Sequence, residues 1–222
     1  MSLRRIVHLS LLFSILITLS MSFILVYFLS FRLINKRIKE TYESLYNNYK
    51  EILKNQEKNF IILDERAIQT GRYYHIEKQS TPPCNETPHY RVIASGVYYG
   101  INRLYPNGCY FVGINIEETL RFMKSLVGVD WVICYDRRFL KDILVEPIDN
   151  FMKGKIVIDD LVIDKFSNDE ILSMPLDVKG YMVYGGFVKK QLIFEAPFAN
   201  LSGIPIGKIV FVKDISNIYR ES

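Results

Sequence analysis

GVYYGINRLYPNGCYFVGINIEETL, Gly96 to Leu120, decides the fold class. Its first half, with the residues from Tyr90 that lead into it, is dense in Val, Ile and Tyr, side chains that favour strands. Pro106-Asn107-Gly108 supplies turn chemistry and Cys109 to Ile114 is strand-like again, so the run reads as a β-hairpin. Asn115 then stands three residues before Glu118, the spacing of a capping box, and opens an amphipathic helix, IEETLRFMKSL, that stops near Gly128. Strand, turn, strand and helix in succession predict an α+β domain on an antiparallel sheet.

Working outward, Val129 to Tyr135 is a further strand with Asp136-Arg137-Arg138 at its exit. The stretch from Arg138 to Lys179 is mixed, with a strand at Lys155 to Ile158 and a short helix at Asn168 to Ser173. Tyr181 to Val188, Gln191 to Phe198 and Ile206 to Val212 read as three strands, with Gly185-Gly186, Asn200 and Ser202-Gly203 as turns and irregularities. On the N-terminal side, EKQSTPPCNETP, Glu77 to Pro88, holds three of the eight prolines and reads as a surface loop. Before it, Ile38, Tyr42, Leu45, Tyr49 and Ile52 recur at helical spacing, which predicts an amphipathic helix to about Thr70, ended by Gly71. Its apolar stripe packs on its own domain or pairs two copies of the chain as a homodimer.

Ile6 to Phe31, IVHLSLLFSILITLSMSFILVYFLSF, contains no Asp, Glu, Lys or Arg. As a helix it reaches roughly 39 Å, more than the roughly 30 Å hydrocarbon core of a bilayer. A cleavable signal peptide is the rival, but its apolar region is shorter and ends in a small-x-small site that is not clear here. The chain thus divides into a membrane anchor over 1–33, a membrane-proximal helix over 34–71 and a folded head over 72–222. Arg4 and Arg5 precede the span, whereas Arg32, Lys36, Arg37 and Lys39 follow it, so the positive-inside rule pulls the head toward the cytoplasm. Long translocated domains are less bound by that rule.

The remaining chemistry is sparse. With 49% hydrophobic and 23% charged residues the chain can build a core, and a net charge of +4, evenly spread, is no nucleic-acid footprint. His8, His75 and His89 are scattered, no H-E-x-x-H or C-x-x-C occurs, and no phosphate-binding glycine loop or nucleophile elbow is present. The expectation is no metal, no cofactor and no catalysis. The Asp159-Asp160 pair reads as solvated. Cys84 either bridges to Cys109, contributing roughly 3 kcal/mol, or all three cysteines are unlinked; Cys134, in an apolar strand, reads as a buried small hydrophobe.

Candidate binding residues come from strand periodicity. Val97, Tyr99, Ile101, Arg103 and Tyr105 share one face, where a guanidinium requires a carboxylate or anionic ligand unless it snorkels to solvent. Trp131 and Tyr135 share a face on the next strand, suited to core packing or to ligand stacking. Tyr184 stands beside Gly185-Gly186, which leaves room for a ligand or marks a bulge.

The order of parts, an apolar helix, a long helix, an antiparallel sheet and then FANLSGIPIGKIVFVKDIS at Phe198 to Ser216, resembles the extracytoplasmic Cache sensory domains of bacterial chemoreceptors and sensor kinases. The matching positions are Gly203, Gly207, Ile209 to Val212, Asp214, Ile215 and Ser216, together with the Gly96 to Leu120 run. The resemblance implies a five- to six-stranded antiparallel PAS-like sheet with the long helix along it, outside the cytoplasmic membrane. It also implies a small-molecule ligand and a separate signalling protein as partner. A ligand pocket on the sheet is expected to draw on Tyr99, Arg103, Trp131, Tyr135 and Tyr184.

Overall fold

The computed structural model describes residues 3–62, 74–78, 84, 86–93, 95–106, 108–143, 148–186 and 188–220. The first element, α1 (Leu3–Ile62), is one unbroken helix. It contains no Pro or Gly, the usual sources of a kink. Its N-terminal half is long and apolar enough to cross a membrane, and none of the most apolar window is buried. Three hydroxyls within it bond to the preceding turn, Thr18 donating to the Ser14 carbonyl, Ser20 to that of Leu16 and Ser22 to that of Thr18. Back-bonding of this kind satisfies those three donors inside the helix. The expected helix end at Thr70 and Gly71 lies outside the described residues.

Beyond the apolar half, α1 buries Ile38, Leu45, Tyr49 and Leu53 against its own head. Each such side chain contributes roughly 1.5–3 kcal/mol on leaving water. The stripe is thereby used within the chain, and the outer face carries exposed Lys50, Glu51, Lys54 and Asn55.

Strands β1 (Tyr74–Lys78), β2 (His89–Ile93), β3 (Gly96–Tyr105) and β4 (Gly108–Asn115) form an antiparallel sheet in the order β1-β4-β3-β2. The β3–β4 hairpin is the one expected from the sequence, although Asn107 in its turn lies outside the described residues. Helix α2 (Ile116–Val127) follows directly. Its cap is Asn115, whose side chain accepts from the Glu117 N–H at 2.9 Å, and Gly128 closes it with a left-handed φ of 62°. The Cys84–Cys109 bridge is formed, with Cα atoms 5.6 Å apart.

The second sheet contains β5 (Asp130–Asp136), β6 (Ile156–Ile158), β7 (Leu161–Phe166), β8 (Tyr181–Tyr184), β9 (Gln191–Ala199) and β10 (Pro205–Asp214). Its order is β6-β7-β5-β10-β9-β8, with every pair antiparallel. Short helices α3 (Arg137–Ile143), α4 (Ile148–Met152) and α5 (Ser216–Arg220) and a 3₁₀ turn at Asp169–Ser173 complete the head.

The α+β class and the long helix follow the sequence reading, but the strands do not form one sheet. Both edges of the β3–β4 hairpin are taken by β1 and β2, so the hairpin has no free edge for the later strands, and α2 carries the chain across to start the second sheet. Glu77 and Lys78, read as loop, end β1.

Contacts along α1 order the head. Tyr42 stacks on Tyr181 at 4.6 Å and meets Phe194 edge-on at 5.6 Å, and Tyr49 meets Phe211 at 5.2 Å. Further along, the Tyr49 hydroxyl is 2.9 Å from that of Tyr90, and Tyr99 donates to the Glu57 carboxylate. The six-stranded sheet therefore lies nearest the apolar half of α1 and the four-stranded sheet lies beyond it. Thr41 and α5 line one recess, which places the Gln191 and Asp214 strand ends toward the apolar half.

Candidate functional site

Alternation along β5, β9 and β10 gives the six-stranded sheet two different faces. Trp131, Ile133, Phe194 and Phe211 belong to the core shared with α1. Val132, Cys134, Ile193 and Val210 face the other way, under the 3₁₀ turn and the segment that follows it. On that second face, at the end of the sheet away from α5, lies a cavity of about 820 Å³.

Its floor is made by Asp136 of β5, Glu195 and Pro197 of β9, and Gly207 and Lys208 of β10. Its walls are the β6–β7 hairpin, with Ile158 and Leu161, and the strap after the 3₁₀ turn, with Leu172, Met174 and Leu176. Gly207 lets β10 lie close on its core side, because a Cβ there would meet the Cys134 carbonyl at 2.4 Å and the Phe198 ring at 2.6 Å, and only its backbone borders the cavity. The pairing of β10 with β9 shifts register between Pro205 and Gly207, just before Lys208 takes its place opposite Pro197. Pro197 has no N–H to give the ladder, and because β8 pairs with β9 only as far as Phe194, β9 is an edge at this position and the omission is tolerated.

Three ion pairs in two clusters converge on the cavity. The Lys208 ammonium is 3.1 Å from Glu195 Oε2 and 3.2 Å from Asp177 Oδ1. Lys208 and Glu195 are mostly buried, whereas Asp177, on the strap, is 87% exposed. Arg138 grips Asp136 with Nε at 2.9 Å and Nη2 at 2.5 Å, and its backbone N–H adds a third bond at 3.0 Å. The Arg138 side chain holds the Asp136 carboxyl below the usual carboxylate range. Beneath the floor, burial pushes the Cys134 thiol up to about 12, with Lys208 pulling weakly the other way, so Cys134 is an inert core group. Aliphatic walls with a few convergent charges suit a small polar solute. Among the described residues no group of three or more His, Cys, Asp or Glu side chains is arranged to hold a metal.

None of the five residues singled out from the sequence lines this cavity. Tyr99 packs at 4.8 Å from Tyr90 in the four-stranded sheet and is bonded to Glu57 of α1; burial, then that carboxylate, raises its phenol pKa well above the ordinary value. Arg103 is half-buried near the far end of β3, its guanidinium 6.0 Å from the Tyr105 ring. Trp131 and Tyr135 do share a face, but it is the core face: Tyr135 meets Phe151 at 5.3 Å and donates to Asp164 at 2.7 Å, while Trp131 is 2% exposed and its Nε1 has no hydrogen-bond partner. Tyr184 is exposed on the edge strand β8. The structure thus distributes them over three regions, since period-two alternation assigns residues to a face without saying what covers it.

Sequence reasoning passed over Lys208, Glu195, Asp136, Arg138 and Asp177. A signal for two of them was present: LIFEAPF and IGKIVF each place one ionisable residue inside an apolar strand. Comparison with protein-family models, with curated proteins and with solved structures returns no match.

Proposed function

We propose that the protein is a membrane-anchored sensory module of the Cache or PAS-like kind, whose head lies outside the cytoplasmic membrane and binds a small solute in the cavity above Lys208. The observation that carries this reading is the position of the cavity: it backs onto the same six-stranded sheet whose opposite face holds α1. The resemblance implies an antiparallel sheet with the long helix along it and a pocket on the sheet, and the position of this cavity supports that reading. The Cys84–Cys109 bridge favours an oxidising compartment and so weighs against the orientation suggested by the stem cations.

The mechanism is a population shift. A solute with a carboxylate or similar anionic group replaces Asp177 on Lys208, releases the strap from the sheet and favours one packing of sheet against α1. A separate signalling protein reads the change, and a solute that bound both packings equally would transmit nothing.

Purified full-length chain in detergent, screened by thermal shift against amino acids and small carboxylates, tests the reading. At least one solute should raise the melting temperature, Lys208→Met should remove the shift, and Asp177→Asn should strengthen it by taking away the internal competitor. A shift unchanged in both variants would reject the cavity as the site.

A second reading, a tethered assembly subunit, has one observation in its favour. Phe122 and Leu126 stand one turn apart on α2, 55% and 62% exposed, beside a groove shared with Ile52 of α1. Loss of a co-purifying partner in Phe122→Lys, with no solute response in the parent chain, would select it.

A further inference from the structure

We infer that the β8–β9 turn, through its described residues Gly185, Gly186, Val188, Lys189 and Lys190, is a membrane-contact tip that rests on anionic phospholipid headgroups beside the point where α1 leaves the bilayer. Three observations converge on it, and the inference needs the anchor but not the ligand site.

The first is height. Tyr42 lies roughly 16 Å along the helix axis beyond Phe31, at about 1.5 Å per residue. Tyr42 stacks on Tyr181, and β8 runs from there toward the strand ends that adjoin α5. At about 3.3 Å per residue, Tyr184 lies roughly 10 Å along β8 from Tyr181, at the end of the sheet where α5 packs beside Thr41 of α1. The turn that follows extends from that end, the one nearest the apolar half of α1, and the headgroup layer it would meet is roughly 5–7 Å deep on each side of the hydrocarbon.

The second is surface chemistry. The turn reads Gly-Gly-Phe-Val-Lys-Lys in sequence. Val188 is 81% exposed, more than any other large apolar side chain in the described residues. Tyr184, at 41% exposure, precedes it, and a tyrosine at this level suits a membrane interface.

The third is charge. The Lys190 ammonium is 5.4 Å from the Tyr219 ring of α5, and Lys189 and Arg220 both act on the Asp214 carboxylate. Arg32, Lys36, Arg37 and Lys39 ring the stem below. The carboxylates acting on this surface are Glu170, which pairs with Lys189 at 2.9 Å, Glu40 and Glu43 on the stem, Asp214, already bonded to Ser216, and Asp130, already paired with Lys124 at 2.7 Å. Cations prevail, and those within a Debye length of an anionic surface are drawn to it.

The test uses the full chain in vesicles of phosphatidylcholine, alone or mixed with phosphatidylglycerol. The native cysteines are bridged or buried, so Val188→Cys accepts a single environment-sensitive dye, and Leu201→Cys in the β9–β10 turn labels the opposite end of the sheet. Quenching by headgroup-spin-labelled lipid should be several-fold stronger at 188 than at 201 in the mixed vesicles. It should fall by roughly fivefold for each cation removed in Lys189→Gln and Lys190→Gln, and fall likewise in high salt. Equal quenching at 188 and 201 overturns the contact, and equal quenching at 188 in both lipid mixtures overturns its anionic character. Flotation after an alkaline wash reports the anchor separately: a chain that floats without the difference loses only the tip, and one that fails to float loses both.

Discussion

The phenolic oxygens of Tyr49 on α1 and Tyr90 on β2 lie 2.9 Å apart, a contact between a buried ring and a partly buried one that ties the helix to the four-stranded sheet. Tyr49→Phe deletes one partner and leaves the Tyr90 hydroxyl unsatisfied. The expected loss is about 1–3 kcal/mol in chemical denaturation of the full chain, larger than for a phenylalanine substitution at the exposed Tyr184.

The same pair fixes the behaviour in alkali. Burial pushes the Tyr90 phenol up to about 12 from an ordinary 10.0, and burial raises Tyr49 further. The folded state therefore holds these protons more tightly than the unfolded one, and their contribution is complete below about pH 10 and lost as the pH rises toward 12. Tyrosinate absorbance should rise together with loss of near-ultraviolet circular dichroism. A buried-tyrosine titration complete while the fold is intact would contradict the expectation.

Tyr135, Asp164 and Lys155 form a buried triad under the β6–β7 hairpin. Tyr135 donates to Asp164 Oδ2, Lys155 pairs with Oδ1, and the side chains of Lys155 and Asp164 are only 10% and 4% exposed. Asp164→Ala strands a cation and a hydroxyl and should cost about 3–5 kcal/mol. Replacing both charges at once, Lys155→Met with Asp164→Leu, should recover most of that loss in the same denaturation measurement.

The Cys84–Cys109 bridge closes a loop with a sequence separation of 25, and its removal in Cys84→Ser with Cys109→Ser should cost roughly 3 kcal/mol. Cys134 should resist alkylation in the native chain and react only on unfolding, because burial suppresses its thiolate. Chemical denaturation of the double variant checks the first statement, and mass spectrometry after a maleimide pulse with and without denaturant checks the second.

The local elements were legible because their signals are local. The Asn115 cap and the Gly128 stop bound α2 as expected, and the predicted strands near 129–135, 191–198 and 206–212 appear as β5, β9 and β10 with ends moved by one or two residues. Strand β7 was missed, since LVIDKF lies among short apolar pieces with no turn residues to frame it. The run from Tyr90 to Tyr105 is two strands, broken at Gly96, whose φ is 138°. The division into two sheets depends on which edges are already occupied, and the cavity joins five separated segments. Neither leaves a periodic trace in the sequence, so Lys208 could be noticed as an odd lysine but not matched to Asp177.

The boundary drawn at residue 33 is not a joint. Because α1 passes without a break from its lipid-like half to its packed half, the head has no elbow on which to swivel. Any lean of the head is delivered as an equal lean of the rod below it, and the rod has no hinge at which that movement could dissipate.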